Sequence, residues 1–158
     1  MIITINLTLQ RLRVVTPNAV VFEREVSTAR NGVGELSGSL RTPRGAHRIR
    51  AKIGAGCPPN TVFVRRRPTG EIYTDELGRK FPQRDWILTR IMWLCGSDPG
   101  LNRFGNRDTM RRYIYIHGAP DSVPMGVPGS HGCIRMRNDD VMVLFDLVPV
   151  GTPVFLHE

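Results

Sequence analysis

Three cysteines in 158 residues are too few, and odd in number, to staple a fold through disulfides. Their positions, Cys57, Cys95 and Cys133, match neither a zinc ribbon nor a thioredoxin-type motif, so no metal or other cofactor is expected. No apolar run approaches the roughly 20 residues that cross a bilayer. The N-terminal segment MIITINLTLQRLRVV lacks a basic leader, a continuous apolar stretch and a small-residue cleavage site, and does not read as a secretory signal. Repeats and low-complexity segments are absent. Acidic residues are the minority, 14 against 22 Lys and Arg, and the formal charge of +8 suits polyanions such as nucleic acid, anionic lipid or an acidic wall polymer. Aromatic residues make up 7 % of the chain and do not interleave with the arginines as base stacking requires. Nucleic acid is therefore not the expected partner, and the Arg65–Arg67 triplet and the Arg111–Arg112 pair read as a solvated basic surface. What remains is one soluble domain over residues 1–158, cytosolic by default and expected as a monomer, long enough to bury a core unaided.

What is present is mostly strand patterning. Ile3, Ile5, Leu7, Leu9, then Leu12 and Val14 alternate with polar residues at a period near two, and AVVFEREVST and AHRIRAKIG continue the theme. A Gly/Ser-rich stretch from Asn31 to Ser39 leads to the Thr42-Pro43-Arg44-Gly45 turn, after which His47 reads as a strand residue. Residues 54–85 carry Pro58, Pro59, Pro68 and Pro82 and read as a long excursion with short strands near Val62–Val64 and Ile72. WILTRIMWLCG suits a buried strand or a three-turn helix, and periodicity does not decide between them, though its Trp and Ile content agrees with strand. RRYIYIHG is a strand with Tyr113 and Tyr115 on one face, Ile114 and Ile116 on the other, and His117 at its end. One helix is expected near the C-terminus, capped by Asn138 or Asp139, with Val141, Leu144, Phe145 and Val148 as its apolar stripe and Pro149 beyond its end. Thr152 to His157 supply a closing strand, with His157 exposed.

Cys133 is distinguished by its neighbours. Ser130, His131 and Gly132 precede it, Ile134 and Arg135 follow, and Ile116-His117-Gly118 stand upstream with 12 residues between His117 and Ser130. A nucleophilic cysteine needs a base beside it, because a free thiol is only a few per cent ionised at neutral pH. His117 is the candidate base. Gly132 lets the turn aim backbone N–H groups at one point, and the N–H of Cys133 with that of Gly132 or His131 would receive a developing oxyanion. Ser130 is expected either to shape that turn by a hydrogen bond within it, beside the substrate it would help to bind, or to be an ordinary turn serine. Acyl transfer is the leading chemistry. A zinc hydrolase ligated by His117, His131 and Cys133 competes poorly, since the spacing has no catalytic-zinc pattern and the metal would consume the nucleophile. A non-catalytic basic module that binds wall polymer or another polyanion is a third reading. Cys57, in a Gly-Cys-Pro-Pro loop, and Cys95, ending an apolar run, read as small hydrophobes.

IHG followed by SHGCIRM resembles the signature of the L,D-transpeptidase (YkuD-type) catalytic domain of bacterial cell-wall enzymes. The likeness extends upstream through VSTARNGVGELSGSLRTPRGAHRI and downstream through NDDVMVLFDLVPVGTPVFL, covering nearly the whole chain. It implies a mainly β, α+β fold, a mixed β-sandwich with one helix in the C-terminal half, and a strand at WILTRIMWLCG. Carried over by position, Cys133 is the nucleophile, His117 the general base and Gly118 the residue whose carbonyl orients that base, with His131 and Gly132 lining the turn. The implied reaction is attack on the bond before a terminal D-alanine of a tetrapeptide stem, giving a thioester. An amine acceptor then yields a 3-3 cross-link, a free D-amino acid yields exchange, and water yields L,D-carboxypeptidase activity. Arg135 stands where the family often has asparagine, arginine occurring in the SHGCIRM subgroup. Its fork suits a substrate carboxylate, or an ion pair with Asp139 or Asp140. Arg90, Asn102, Arg103 and Tyr113 are further substrate-contact candidates by likeness. The His117–Ser130 interval is short for the family, and Pro120, Pro124 and Pro128 stiffen it. The resemblance also implies peptidoglycan or its muropeptide precursors as partner and the cell envelope as location. That agrees with the unsignalled N-terminus if an export signal has been removed, or if the protein acts on precursors or recycled fragments inside the cell.

Overall fold

The alternation at the N-terminus builds the first ladder. β1 (Ile2–Asn6) pairs antiparallel with β2 (Arg11–Val15), and Ile3, Ile5, Leu12 and Val14 turn inward with no residual exposure. Leu9 continues the same sequence pattern yet is exposed, because the Asn6 carboxamide accepts the N–H groups of Thr8 and Leu9 and bends the chain into a turn there. The remaining strands are β3 (Val20–Glu25), β4 (Gly45–Ile53), β5 (Thr61–Val64), β6 (Arg67–Ile72), β7 (Ile87–Gly96), β8 (Tyr115–Gly118), β9 (Ile134–Met136) and β10 (Pro153–His157). The computed structural model describes residues 1–158 and is 41 % strand and 12 % helix. Its strands form one continuous curled sheet in the order β3-β2-β1-β10-β4-β7-β5-β6, with β8 branching from β7 and carrying β9. The main core, filled from β1, β2, β3, β4, β7, β8, β9, β10 and the C-terminal helix, lies inside the curl, and a small second cluster of Phe63, Ile91 and Tyr115 has Cys133 packed against it.

Two helices complete the fold where one was expected. α1 (Asp75–Lys80) interrupts the 54–85 excursion after the anticipated strands β5 and β6. The Thr74 hydroxyl accepts the Leu77 N–H at 3.1 Å, Asp75 and Glu76 fill the first turn, and Arg79 and Lys80 the last, which are the cap and charge signals of a short helix. Pro82 stands just beyond it. α2 (Asn138–Leu147) lays Val141, Leu144 and Phe145 on the core as the stripe required. Its N-cap is Arg137, without a side-chain cap, and neither Asn138 nor Asp139. Asn138 is the first helical residue, and its carboxamide is turned inward, accepting from Thr89 Oγ1 at 2.6 Å and donating to Asn60 Oδ1 at 3.0 Å. Neither helix is long and apolar enough to cross a membrane.

That inward carboxamide matters to the position of β8. The β7–β8 register slips between Leu88 and Ile91, and within this bulge Thr89 has φ of 74°, an outlier for a β-branched residue. Its hydroxyl is tied on both sides, donating to Asn138 and accepting the Asn60 N–H at 3.1 Å. Gly118 lies against the bulge so closely that a Cβ there would collide with the Asn138 carboxamide and the Leu88 carbonyl. The bulge thus lets β8 settle with His117 opposite Ile91.

His47, a β4 residue as anticipated, is buried with its ring between the Gly45 carbonyl (3.0 Å) and Thr109 Oγ1 (2.9 Å). Burial pushes its pKa from 6.5 down to about 4, against smaller upward pulls from the Gly45 carbonyl, Asp98 and Glu35. Between these values the unfolded chain binds the proton that the folded one refuses, so stability falls as pH drops through this window. The loss attributable to His47 reaches about 3 kcal/mol. Urea titrations from pH 7 to pH 4 check this: the His47→Gln variant, less stable at pH 7, loses markedly less than the wild type over that range.

Candidate active site

The parallel pairing of β8 and β9 sets Ile116 opposite Ile134 and His117 opposite Arg135. Ile116 and Ile134 fall on the core face and are fully buried, so Tyr115, His117 and Cys133 share the opposite face. This face opens into a cleft of about 400 Å³ whose walls include Cys133, His117, Ser130, His131, Tyr113 and Tyr115. A second cleft of about 260 Å³ shares Ser130, His131 and Asp85 with the first and is closed by Arg135.

His117 is buried, and its Nδ1–H donates to the Gly118 carbonyl at 2.5 Å, which leaves Nε2 as the basic nitrogen. Burial holds the imidazole pKa below 6.5, with Arg135 pulling the same way and Asp85 and the Gly118 carbonyl opposing. The Cys133 thiol is pushed up to about 12, chiefly by burial, with the Tyr115 N–H, Arg112 and Arg135 opposing. Both groups therefore rest neutral. No hydrogen bond joins them: the S–H donates to the Tyr113 carbonyl (3.3 Å) and the sulfur accepts the Tyr115 N–H (3.3 Å). Tyr113 itself has φ of 57°, which aims its carbonyl at the sulfur and places the residue outside β8.

The turn bearing the cysteine is clamped from several sides. Ser130 Oγ–H donates to the Cys133 carbonyl at 2.6 Å and accepts the Gly132 N–H at 3.1 Å. Of the anticipated oxyanion donors, Gly132 N–H is therefore engaged, while the N–H groups of His131 and Cys133 bond to nothing within the protein. Thr42 Oγ1–H donates to the Gly132 carbonyl at 2.9 Å and accepts the Ala29 N–H at 2.9 Å. Gly132 has φ of 133°, open only to glycine, and a Cβ there would press on Ile114 and the Arg41 carbonyl. Outside the turn, Ser27 exchanges two backbone hydrogen bonds with Arg135, and Ser130 N–H donates to the Thr28 carbonyl.

The other candidates divide. Tyr113 lines the cleft, its ring 6.1 Å from that of Trp93. Arg135 donates from Nη2 to Ser27 Oγ at 2.9 Å and keeps Nε buried without a partner. No ion pair joins it to Asp139 or Asp140, the latter being bound to Arg24 at 2.8 Å. Arg90, Asn102 and Arg103 do not reach the cleft. Arg90 is buried, its guanidinium on the Cys57 and Thr89 carbonyls, so its place after Thr89 in the bulge directs it inward. Asn102 braces a loop through the Asp98 N–H and the Arg44 and Ala46 carbonyls, and Arg103 faces a separate surface depression. His131 is exposed, and no group of three or more His, Cys, Asp or Glu side chains assembles in metal-holding geometry.

Several cleft residues escaped the sequence reading. Of the triplet read as a solvated basic surface, Arg65 is exposed and Arg66 half-buried, and both line the cleft: they form the two-residue turn between β5 and β6, each with positive φ (49° and 64°). Arg66 lies 4.8 Å over the rings of both Trp93 and Tyr113 and donates to the Tyr115 hydroxyl at 3.0 Å. Arg112 is half-buried and holds the loop beneath the cysteine turn through the Gly34, Glu35 and Arg41 carbonyls. The period-two relation of Tyr115 to His117 was the one signal in the sequence for any of these.

A family model for the L,D-transpeptidase catalytic domain matches residues 1–156, and the chain belongs to that family. Over 48 residues it is 49 % identical to the probable L,D-transpeptidase YbiS of Escherichia coli K12, a match covering 30 % of this chain and 16 % of that protein. Over 55 residues it is 43 % identical to the putative L,D-transpeptidase YqjB of Bacillus subtilis, covering 35 % and 31 %. The matched segments are thus a minor part of these relatives. Among solved structures, an L,D-transpeptidase from Mycobacterium smegmatis superposes with a TM-score of 0.58 at 19 % identity, over 99 % of this chain and 58 % of that one. One from Xylanimonas cellulosilytica gives 0.56 at 22 %, over 99 % and 59 %. These structural likenesses establish the shared fold.

Because one hydroxyl holds both the Gly132 N–H and the Cys133 carbonyl, Ser130→Ala is expected to cost about 2 kcal/mol of unfolding free energy. Denaturant titration measures it, and a cost below about 0.5 kcal/mol would show the turn to be held without Ser130.

Proposed function

We propose that the protein is a cysteine-dependent peptidoglycan L,D-transpeptidase acting on tetrapeptide stems through a thioester, releasing D-alanine and forming 3-3 cross-links or exchanging D-amino acids. The observation that carries this reading is the placing of Cys133 and His117 on one face of one cleft, with His117 Nδ1–H held by the Gly118 carbonyl so that Nε2 faces the work of a base. Family membership supplies the reaction class, the first cleft supplies room for a peptide at the sulfur, and the second adjoins it through Asp85, Ser130 and His131.

In the reaction, the sulfur leaves the Tyr113 carbonyl and turns about its one side-chain bond towards His117. With the thiol high and the imidazole low, the proton passes to Nε2 as the sulfur attacks and not before, since a standing ion pair would be unfavourable in this buried setting. The carbonyl attacked joins the L-configured centre of the third residue to the terminal D-alanine. The oxyanion is received by the free N–H groups of Cys133 and His131. Collapse breaks the C–N bond, the imidazolium gives its proton to the departing D-alanine amine, and the acyl group stays on sulfur. Arg65 and Arg66 supply positive charge along the cleft for the carboxylates of the stem. The site of action follows the substrate, in the cell envelope or on muropeptide precursors, and the catalytic unit is a monomer.

A solved relative, LdtMt1, at 21 % identity, was determined in complex with imipenem. On the present reading, exposure to a carbapenem gives an intact-mass adduct that maps to Cys133 and is absent from Cys57 and Cys95. Cys133→Ala abolishes the adduct and the turnover of a tetrapeptide muropeptide while binding to wall polymer persists. Turnover unchanged in Cys133→Ala would leave only a thiol-independent function.

A further inference from the structure

Asp85 precedes β7 at the mouth shared by the two clefts, and it is the one carboxylate lining either of them. Everything charged around it is cationic: Arg65, Arg66 and Arg112 in the first cleft, Arg84 and Arg135 in the second. An isolated acid in such company would ordinarily be neutralised by its nearest arginine. Here none does so. Arg84, its neighbour in sequence, is turned away and grips Glu71 through two hydrogen bonds of 2.8 and 3.0 Å while stacking 4.3 Å over Trp86. Arg66 is held over Trp93 and Tyr113, Arg112 on backbone carbonyls, and Arg135 on Ser27. Asp85 makes no salt bridge, although its charge is felt at His117, Cys133 and Arg135.

We propose that Asp85 receives the ammonium group of the acyl acceptor, holding a primary amine where the two clefts meet so that it, in preference to water, attacks the thioester on Cys133. The inference rests on the transpeptidase reading and names the acceptor's chemistry. The first cleft, whose Arg65, Arg66 and Arg112 pair with no carboxylate, takes the anionic donor, and the second, which meets it at Asp85, Ser130 and His131, offers the acceptor a separate approach. An amine arriving there is protonated at neutral pH and meets a carboxylate that nothing else holds. In the transfer itself one ammonium proton passes to His117 Nε2, and the freed nitrogen lone pair forms the N–C bond. The C–S bond then breaks, a second nitrogen proton goes to the departing sulfur to restore the thiol, and the imidazolium returns its proton to solvent.

The test uses the intact chain, a defined tetrapeptide donor and two acceptors, glycinamide, which is cationic at neutral pH, and hydroxylamine, which is not. Thioester formation is followed by intact mass, and the ratio of amide to hydrolysed tripeptide by product mass. Asp85→Asn is expected to lose roughly ten- to hundredfold in glycinamide transfer through a raised acceptor KM while hydroxylamine transfer from the same thioester is kept, any change in the rate of thioester formation being common to both acceptors, with Asp85→Glu restoring much of the loss. If Asp85→Asn slows thioester formation and leaves the product ratio unchanged, Asp85 acts on the His117 imidazolium and the proposal fails. Equal losses with both acceptors, or none with either, also overturn it. A wild-type chain that forms no thioester refutes the underlying transpeptidase reading, a result separate from any effect of Asp85.

Discussion

The hydrogen bond from His117 Nδ1–H to the Gly118 carbonyl is the constraint on which the rest of the site depends. It fixes which ring nitrogen carries the proton and hence which one is basic. Nothing flexible provides it. The acceptor carbonyl belongs to the next residue of the same strand, and that strand is held in place by close packing of Gly118 on the Asn138 carboxamide and on the Leu88 carbonyl at the bulge in β7. Thr89 bears the backbone strain of that bulge, and its hydroxyl, bonded to Asn60 and Asn138, keeps the strained conformation occupied. The helix α2 is therefore coupled to the His117 ring through its first residue.

On the other side of the cleft the cysteine is equally constrained, but by a turn and not a strand. Thr42 and Ser130 hold the Gly132 and Cys133 carbonyls, and the peptide N–H of Cys133 has no partner within the protein. Burial raises the thiol pKa and lowers that of the imidazole, which keeps both neutral at rest. A neutral pair agrees with the proposed role, in which the sulfur stays unreactive until an acyl donor arrives. In the mechanism proposed above the thiolate would be generated in step with attack, the negative charge moving from sulfur to an oxygen within reach of the free N–H groups.

Much of this was legible in the chain because the informative features are local. The alternation in β1 and β2, the stripe of α2, the strand ending in His117 and the glycine before Cys133 are all short-range patterns with a direct steric or hydrogen-bonding cause. Asn138 was misread as a cap because a carboxamide at a helix start usually turns back on its own N–H groups; here distant partners, Thr89 and Asn60, hold it inward. The same limitation hid Thr42, Asp85 and the Arg65–Arg66 turn, whose meaning lies in contacts across the sheet. It also hid that the side chains of Arg90 and Asn102 bind backbone carbonyls away from the cleft, and that Arg103 lies over the Phe104 ring beside a separate depression. α1 is a different case, since its Thr74 cap and its charge order were present in the sequence and were outweighed by the prolines around it.

The state of the imidazole at rest tests the central claim most directly. Nitrogen NMR of the histidine-labelled protein at neutral pH, with His117 assigned by its substitution, distinguishes its forms. The account predicts a neutral ring protonated on Nδ1 and bare on Nε2. A ring protonated on both nitrogens, as in a standing thiolate–imidazolium pair, or a neutral ring protonated on Nε2, would contradict it.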